Sequence, residues 1–341
     1  MPSDSRTTTT EPAVSDQSVA GTPAEVPAVR DGAARRRRKP KLSPLAKREE
    51  RRFWLFLLPW VIGFIGFGAG PLIGSVVLSL TNYSLLSAPK FTGLANYRRM
   101  FDDPLFYKSM VNTAYFGIAS VVLSVAFTLL IAILLNQNVH GLWFFRMVFY
   151  LPSVVAGIAT ALLWKNILDP DFGLLNLVIG WFGIQGPGWL QSPQWSIAGL
   201  VLMSVWGAGN TIVIYLAGLQ SIPATFYEAA RLDGAGTLQR FRHVTIPMMS
   251  PVIFFNVITG LIGSLQAYVL ILIMTGGPSS GSAGGPENST LVIGLYIYRQ
   301  AFQYYDFGYA AALSWALFFV IMLITAIQFA LAKRWVYYDG K

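Results

Sequence analysis

Cysteine is absent from this chain of 341 residues, and histidine occurs only at His140 and His243. Without cysteine there is no disulfide, no thiolate metal site and no cysteine nucleophile. Two isolated histidines also argue against a histidine-based metal cluster, so we expect no metal site. The chain therefore lacks the side chains on which thiol enzymes and many metalloenzymes depend.

Motifs of nucleotide binding and metalloprotease catalysis are missing as well. No G-x-x-x-x-G-K-[ST] phosphate loop occurs, so the chain cannot hold a nucleoside triphosphate by that route. No H-E-x-x-H pattern occurs either. We therefore expect no catalytic residues, no enzyme activity and no cofactor bound by this chain.

Charge is scarce. Charged residues make up 12% of the chain against 54% hydrophobic residues, and a soluble globular protein carries roughly twice that charged share. Runs of about 20 mainly apolar residues are long enough to cross a bilayer as helices. The sequence therefore predicts an all-α polytopic membrane protein with six transmembrane helices, at approximately 53–80, 112–135, 144–167, 197–219, 252–274 and 311–332.

The distribution of basic residues predicts the topology. Twelve of the 25 Lys and Arg residues precede the first apolar run, which argues for a membrane anchor and against a nucleic-acid partner. With the N-terminus inside, inner segments hold 19 and outer segments six, which together account for all 25. The excess of positive charge inside predicts that both termini and the stretch 221–247 are cytoplasmic.

The chain is expected to divide into four parts. Residues 1–50 are polar and basic, and we expect a disordered cytoplasmic tail because they have too little apolar surface to fold. The first transmembrane helix and its outer loop occupy 51–111, a five-helix transport core occupies 112–334, and a cytoplasmic C-terminus occupies 335–341.

Three outer segments have distinct compositions. Residues 91–110 favour an interfacial loop with a short amphipathic helix, because they mix aromatic and charged side chains. The segment from Asp169 to Ser196 contains several tryptophans, which are typical of the membrane interface. The Gly/Ser/Pro-rich segment 275–290 is expected to be a flexible linker.

The predicted spans contain no acidic, basic or histidine side chain, apart from Arg146 and Lys165 near the two ends of the third span. An ion-coupled transporter generally needs such groups, so a transporter built on this chain would draw its energy through another subunit. Neutral polar and aromatic side chains are candidates for a substrate path, or else for interhelical packing. These candidates are Trp206, Asn210 and Tyr215 in the fourth span, and Asn256, Gln266 and Tyr268 in the fifth.

The stretch 221–247 lies between two apolar runs and carries five charged residues. Pro223 favours a helix start, and Gly234 and Gly236 favour its end, so the sequence predicts a short helix. A second short helix is expected from about Thr237 toward Pro247. Glu228 and Arg231 are three residues apart and could pair on the exposed side. On these grounds alone, the first helix either rests on its own bundle or receives a partner.

One motif in this stretch is more specific. Glu228-Ala229-Ala230, followed by Gly234 and Pro247, resembles the pattern E-A-A-x3-G-x9-I-x-L-P of permease subunits in binding-protein-dependent ABC importers. Val244 and Ile246 replace the usual isoleucine and leucine. Further motifs are similar to the carbohydrate branch, which includes the maltose and glycerol-phosphate permeases, and the resemblance covers about 50–335. These motifs are Asp233-Gly234-Ala235 with Phe241, Asn112-Thr113, Leu151-Pro152, Thr275-Gly276-Gly277-Pro278 and Tyr309-Ala310-Ala311.

The resemblance implies an importer in the plasma membrane of a prokaryote. Two non-identical permeases pair, a cytoplasmic ATPase dimer binds ATP and magnesium, and an extracellular solute-binding protein delivers a sugar or oligosaccharide. Glu228, Ala229, Ala230 and Gly234 would then dock the ATPase, with Arg231 and Asp233 at the rim of the contact. The alternatives are a polyol or glycerol phosphate as substrate, or a membrane scaffold that recruits a cytoplasmic partner without transport.

Overall fold

The structure is a computed structural model that describes residues 44–84, 87–137, 140–276 and 283–337. Most of the expected disordered tail, residues 1–43, therefore lies outside the described residues, as does most of the predicted C-terminal part. The chain divides into two compact units, Met1–Val61 and Ile62–Lys341. The described part of the first unit is entirely helical, and the second unit contains both cavities and the loop helix described below.

Fifteen α-helices and two short strands are formed by the described residues. The helices are α1 Pro44–Phe64, α2 Gly70–Ser79, α3 Ala95–Asp102, α4 Pro104–Leu135, α5 Leu142–Val154, α6 Gly157–Ile167, α7 Leu174–Gly180, α8 Ser196–Trp206, α9 Gly209–Ser221, α10 Ala224–Leu232, α11 Thr237–Arg240, α12 Ile246–Leu265, α13 Val269–Met274, α14 Ile293–Tyr298 and α15 Phe307–Trp335. Strands β1 Thr81–Ser84 and β2 Ser87–Phe91 pair antiparallel. Single π-helical turns occupy Ile65–Ala69, Phe241–Thr245 and Arg299–Gln303.

The helices confirm the predicted all-α class. Four uninterrupted helical segments in the described ranges are long and apolar enough to cross a membrane: Lys47–Ser79, Pro104–Leu135, Thr237–Leu265 and Phe307–Trp335. Two bent pairs, α5 with α6 and α8 with α9, bring the number to six if each pair is one span. Helix α1 begins at Pro44, so residues 44–50 are helical although the sequence analysis assigned them to the tail. Their Leu, Ala, Lys, Arg and Glu residues are good helix formers that extend the apolar helix.

The bends have local causes. Helices α5 and α6 meet at 103°, where Val155 and Ala156 have extended backbone angles. Pro152 contributes because it has no N–H for the carbonyl one turn earlier. Helices α8 and α9 meet at 51°, and a Cβ at Gly209 would lie 2.7 Å from the Phe149 carbonyl oxygen. Glycine at this position therefore lets α9 pack closely against α5, as small residues do in membrane bundles.

The fifth predicted span differs from the structure at both ends. The sequence analysis placed it at 252–274, but the helix runs from Thr237 to Leu265 and a separate helix, α13, follows a break at Gln266–Tyr268. The second short helix expected to run toward Pro247 is thus the first part of the span itself. The helix passes Pro247 because proline is tolerated in the first turn of α12, next to a π-helical turn.

Residues 283–303, called here the 283–303 segment, contradict the linker prediction. Thr290, Leu291 and Val292 are fully buried, and α14 follows directly. The Asn112 side-chain amide donates to the carbonyl oxygens of Asn288 at 2.9 Å and Leu291 at 3.1 Å. Residues 277–282 of the expected linker lie outside the described residues. The linker prediction is therefore wrong for 283–290, where side chains of α4 satisfy the polar backbone.

The predicted amphipathic helix before the second span is present as α3, which follows the unpredicted hairpin of β1 and β2. Asn96 in α3 is buried, and its side-chain amide donates to the carbonyl oxygens of Ser79 and Thr81, both at 2.9 Å. Arg99 forms an ion pair with Asp306, the N-terminal cap of α15, at 2.6 Å. These contacts fix α3 and the hairpin against the end of α2 and the start of α15.

Candidate functional site: a cavity at three helix breaks and an exposed loop helix

Helix α10 has clear local signals at both ends. Pro223 precedes it with extended backbone angles, which excludes that residue from the helix. After Leu232 the N–H of Ala235 donates to the carbonyl oxygen of Ala230 at 2.9 Å. Gly234 lies in the left-handed region at φ +75°, and a Cβ there would meet nothing within 4 Å. Glycine is therefore favoured here by the backbone angle, as in a typical helix C-terminus, and not by crowding.

The predicted docking residues lie on the outer surface of α10 and its C-terminus. Glu228, Ala229, Arg231, Asp233 and Gly234 are exposed, and Ala230 is half-buried. Leu232 is 89% exposed, which leaves a large apolar side chain without cover. A helix of nine residues gains little stability by itself. This exposed apolar and charged surface is therefore available to another molecule.

Two side chains that the sequence analysis did not single out hold α10 on the bundle. The Tyr227 hydroxyl is 3.0 Å from Thr245 Oγ1 in the π-helical turn before α12. Ile222, just before α10, is buried in a cluster with Leu219 and Met249. The aromatic residue within TFYEAAR was a usable signal, because a tyrosine on a charged helix commonly marks its packed face. Helix α10 is therefore anchored on one side and exposed on the other.

The expected pairing of Glu228 with Arg231 does not occur. Over the residues that the structure describes, Arg99–Asp306 is the single ion pair within 4.0 Å. An exposed pair at this spacing gains little over separate hydration, so the two side chains remain apart. Both charges are consequently free to contact a partner.

Between the helices lies a cavity of about 590 Å³. Its walls come from the middle of α4, from both sides of the α5–α6 and α8–α9 bends, and from α12 and the break that follows it. Three interrupted helices thus meet at one site. Helix interruptions within a membrane are tolerated where they face protein or an aqueous cavity, and they commonly form substrate sites in transporters.

The cavity wall carries hydroxyl and amide groups and no charge. Among the described residues that line it there is no Asp, Glu, Lys, Arg or His. The predicted path residues Asn256, Gln266 and Tyr268 are part of this wall. Asn256 is buried and its amide nitrogen donates to the Val252 carbonyl oxygen at 2.8 Å. The Tyr268 ring stacks on Tyr298 with a centroid distance of 5.8 Å.

The other three predicted path residues lie elsewhere. Trp206 packs edge-on against Trp164, with ring centroids 6.0 Å apart. Asn210 is exposed on α9 and does not line the cavity. Tyr215 is fully buried in the cluster with Leu219 and Met249. In this conformation none of the three residues predicted in the fourth span lines the cavity, and that span contributes other residues, such as Thr211.

Several hydroxyl-bearing residues of the wall were missed by the sequence analysis. Ser120 and Ser124 are four residues apart on α4, and this spacing places both on one face of the helix. That pattern within an apolar helix was the signal that could have found them. The other missed hydroxyl groups in the wall belong to Ser153, Thr160 and Ser204.

A second polar cluster lies at the start of α4, and its residues Asp103 and Tyr296 are outside the membrane-spanning segments. The Asp103 carboxylate accepts hydrogen bonds from the hydroxyls of Tyr296 and of Tyr309, the latter at 2.7 Å. Burial would raise the pKa of Asp103, but these hydrogen bonds and those from backbone N–H groups outweigh it and hold the pKa below its usual value of 3.8. Burial, together with the neighbouring carboxylate, raises the pKa of Tyr296 to about 12. The cluster therefore ties α14 and α15 to the start of α4 with a charged acceptor.

Comparison with known proteins identifies the class. Residues 141–337 match the family described as "binding-protein-dependent transport system inner membrane component". A probable ABC transporter permease protein, YesP of Bacillus subtilis, is 37% identical over 88% of this chain and 96% of its own length. The lactose transport system permease LacF of Rhizobium radiobacter is 35% identical over 82% of this chain and 94% of its own. The chain therefore belongs to this family of membrane permeases, which is not an enzyme family.

The fold has a counterpart among solved structures. A bacterial ABC transporter that imports the acidic polysaccharide alginate contains a chain with a TM-score of 0.71 and 24% identity, covering 86% of this chain and 99% of that one. The same transporter is also known in complex with an alginate pentasaccharide-bound periplasmic protein. At this identity the likeness shows the fold alone.

Proposed function

We propose that this chain is a permease subunit of an ATP-driven importer and that its cavity passes a neutral sugar or short oligosaccharide. The observation that carries the proposal is the uncharged cavity of about 590 Å³ at the meeting point of three interrupted helices. Its volume falls within the ordinary range of small-molecule sites, roughly 300–1,000 Å³. Rigid-body movement of helices at the breaks would open the cavity alternately to each side.

The chemistry of the wall favours a neutral polyhydroxyl ligand. Serine and threonine hydroxyls and the amides of Asn256 and Gln266 can both donate and accept hydrogen bonds, as sugar hydroxyls require. Tyr268 adds an aromatic face on which the apolar side of a sugar ring can pack. A glycerol phosphate or an acidic sugar would bring a negative charge to a wall without a described cation. The similarity to the lactose permease LacF supports a sugar over these anions.

The energy for transport would come from a separate ATPase. This chain has no phosphate loop, and ATP and magnesium would be bound by that partner. The exposed surface formed by Glu228, Ala229, Ala230 and Gly234 is our candidate for the ATPase contact, with Arg231 and Asp233 at its rim. Because α11 continues into α12, movement of this region would be transmitted to a helix that lines the cavity.

Two further components follow from the same proposal. A second permease would complete the path, and an extracellular solute-binding protein would deliver the sugar, as the periplasmic protein of the alginate transporter suggests. The excess of basic residues in the inner segments supports cytoplasmic termini and a location in the plasma membrane of a prokaryote.

Uptake by the assembled transporter in proteoliposomes tests the substrate class. We expect ATP-dependent accumulation of at least one neutral mono- or disaccharide from a labelled panel, and none of uronic acids or glycerol phosphate. The change Asn256→Asp places a carboxylate in the wall and should reduce uptake of the neutral sugar by about tenfold or more. Asn136→Asp, at an exposed asparagine just after the end of α4 and outside the cavity wall, is the matched control and should leave uptake near the wild-type rate. Accumulation of only anionic solutes would overturn the proposal.

A second experiment tests the docking surface. We expect Glu228→Ala and Gly234→Pro to abolish uptake while the chain still inserts into the membrane. Glu287→Ala removes another exposed carboxylate far from α10 in sequence and serves as control. Binding of the purified ATPase to detergent-solubilised permease should fall in parallel. Unchanged uptake in both variants would contradict the proposed role of this surface in coupling.

A further inference from the structure

A second cavity, of about 550 Å³, lies between α5 and α9 and is separate from the transport cavity. We call it the α5–α9 groove. Its floor consists of the buried residues Leu135, Gly209 and Ile212, and its rim of the exposed side chains of Met147, Tyr150 and Val213, with Leu216 at one end. All of these residues are apolar except Tyr150. The groove is therefore an apolar slot that is open at the surface of the bundle.

One charge lies at this groove. Arg146 lines it, is exposed, and makes one described hydrogen bond, from Nη2 to the Leu135 carbonyl oxygen at a long 3.4 Å. No aspartate or glutamate occurs between Pro104 and Leu168 or in α9, and among the residues that the structure describes Arg146 has no ion-pair partner within 4.0 Å. Most of its five N–H donors are thus available to a ligand. An arginine beside an apolar slot requires an anionic group from outside the chain or contact with water.

The surroundings place this arginine at a membrane surface. Trp143, Phe144 and Phe145 directly precede it and are 71%, 48% and 46% exposed. Exposed aromatic side chains next to a basic residue at the end of a spanning helix are typical of the interface between headgroups and hydrocarbon. The guanidinium therefore lies at headgroup level, and the groove extends from it along the apolar face of α9.

We propose that the α5–α9 groove binds an anionic phospholipid, with its phosphate on Arg146 and an acyl chain along Leu135, Ile212 and Val213. Charge complementarity selects this occupant, because guanidinium pairs with phosphate oxygens by charge-assisted hydrogen bonds. A protein helix seated here would have to carry a carboxylate beside its apolar face, whereas a phospholipid supplies both parts. Basic pockets between transmembrane helices are known to take such headgroups.

Photolabelling of the full-length chain in phosphatidylcholine nanodiscs tests the proposal. One sample contains a trace of phosphatidylglycerol with a photoactivatable acyl chain, and the other contains phosphatidylcholine with the same chain. We expect phosphatidylglycerol to label peptides from α5 and α9 about fivefold more than phosphatidylcholine, the preference expected for one basic residue at an anionic headgroup. Equal labelling by the two lipids would overturn the proposal.

Two pairs of variants test the phosphate contact and the apolar groove independently. Arg146→Gln should reduce phosphatidylglycerol labelling to the phosphatidylcholine level, while Arg334→Gln, an exposed arginine at the end of α15, should not. Val213→Trp should fill the slot and reduce labelling by both lipids, while Ile214→Trp, exposed on the same helix but outside the groove, should not. Unchanged labelling in Arg146→Gln or in Val213→Trp would overturn the proposal. So would loss of labelling on assembly with the other subunits, which would make the groove a subunit interface.

Discussion

The 283–303 segment and helix α10 both lie between membrane spans, but they differ in how they contact the rest of the chain. The first buries its backbone against α4, whose Asn112 and Thr113 side chains hydrogen-bond to its backbone. The second presents charged and apolar side chains outward and is held on one side by Tyr227 and Ile222. Because the 283–303 segment hydrogen-bonds to its own chain, we expect it to contribute to stability. Because the side chains of α10 face outward, we expect them to contribute to association with a partner.

Asn112→Ala should have the largest effect, because it removes both hydrogen bonds that the Asn112 side chain donates to the 283–303 segment. Two carbonyl oxygens would lose their donor, which costs about 2–6 kcal/mol at roughly 1–3 kcal/mol per group. Thermal unfolding in detergent, followed by tryptophan fluorescence, measures the loss. Asn210→Ala, at an exposed asparagine, should change the midpoint little, and an equal loss in both variants would contradict the assignment.

Gly234→Ala should separate association from stability. An L-residue at φ +75° costs about 1–2 kcal/mol locally, and the distortion falls on the proposed ATPase contact. We expect uptake to fall severalfold while the global midpoint changes little, because α10 ends at the surface. Gly93→Ala introduces the same strain at φ +59° outside α10 and should leave uptake unchanged. Equal losses of uptake would show that strain alone is responsible.

Tyr227→Phe should weaken the contact that holds α10 on the helix bundle, without affecting the 283–303 segment. The variant loses the hydrogen bond to Thr245 and is expected to cost about 0.5–1.5 kcal/mol. Hydrogen exchange should then increase in residues 224–235 before it increases in α12. Thr245→Val removes the other partner and should reproduce the effect. If exchange rises equally in the 283–303 segment, the two regions are coupled and the contrast between them fails.

Low pH should weaken the contact between Asp103 and the 283–303 segment. The pKa of Asp103 is lowered from 3.8 in the folded protein, so its ionised form contributes stability that is fully present above the unfolded-state pKa. That contribution is lost as pH falls through the folded-state pKa, because the protonated carboxyl no longer favours the fold. The unfolding midpoint should therefore decline as pH falls below about 4, and Asp103→Asn should make the decline shallower. An identical decline in the variant would remove Asp103 as its cause.

Hydropathy predicted most of the fold, because a bilayer sets a minimum length for each apolar run. It did not predict the breaks at Val155–Ala156 and Gln266–Tyr268, since an apolar run has the same composition whether the helix continues or stops. The 283–303 segment was missed for another reason. Its Gly and Ser residues suggested a linker, but Asn112 and Thr113, more than 170 residues earlier, determine its burial.

The candidate site was predicted in part. Asn256, Gln266 and Tyr268 line the cavity, but Tyr215 faces the core, because composition does not fix the rotation of a helix about its axis. The residues of α10 were found through a motif with fixed spacing, and their exposure agrees with a role at a surface. Their contact with an ATPase is still a prediction. Tyr227 was overlooked because its partner lies in the next helix.

The π-helical turn Phe241–Thr245 limits how this chain can change in length. Adding one residue between Thr237 and Pro247, within the continuous helix, would turn every later side chain of α12 by about 100° relative to the residues before it. Asn256 would then leave the cavity wall, and the face that packs on α4 would point elsewhere. Substitutions between these two residues should be far better tolerated than single-residue insertions. The number of residues in this interval therefore sets the orientation of the cavity-lining helix relative to the surface helix.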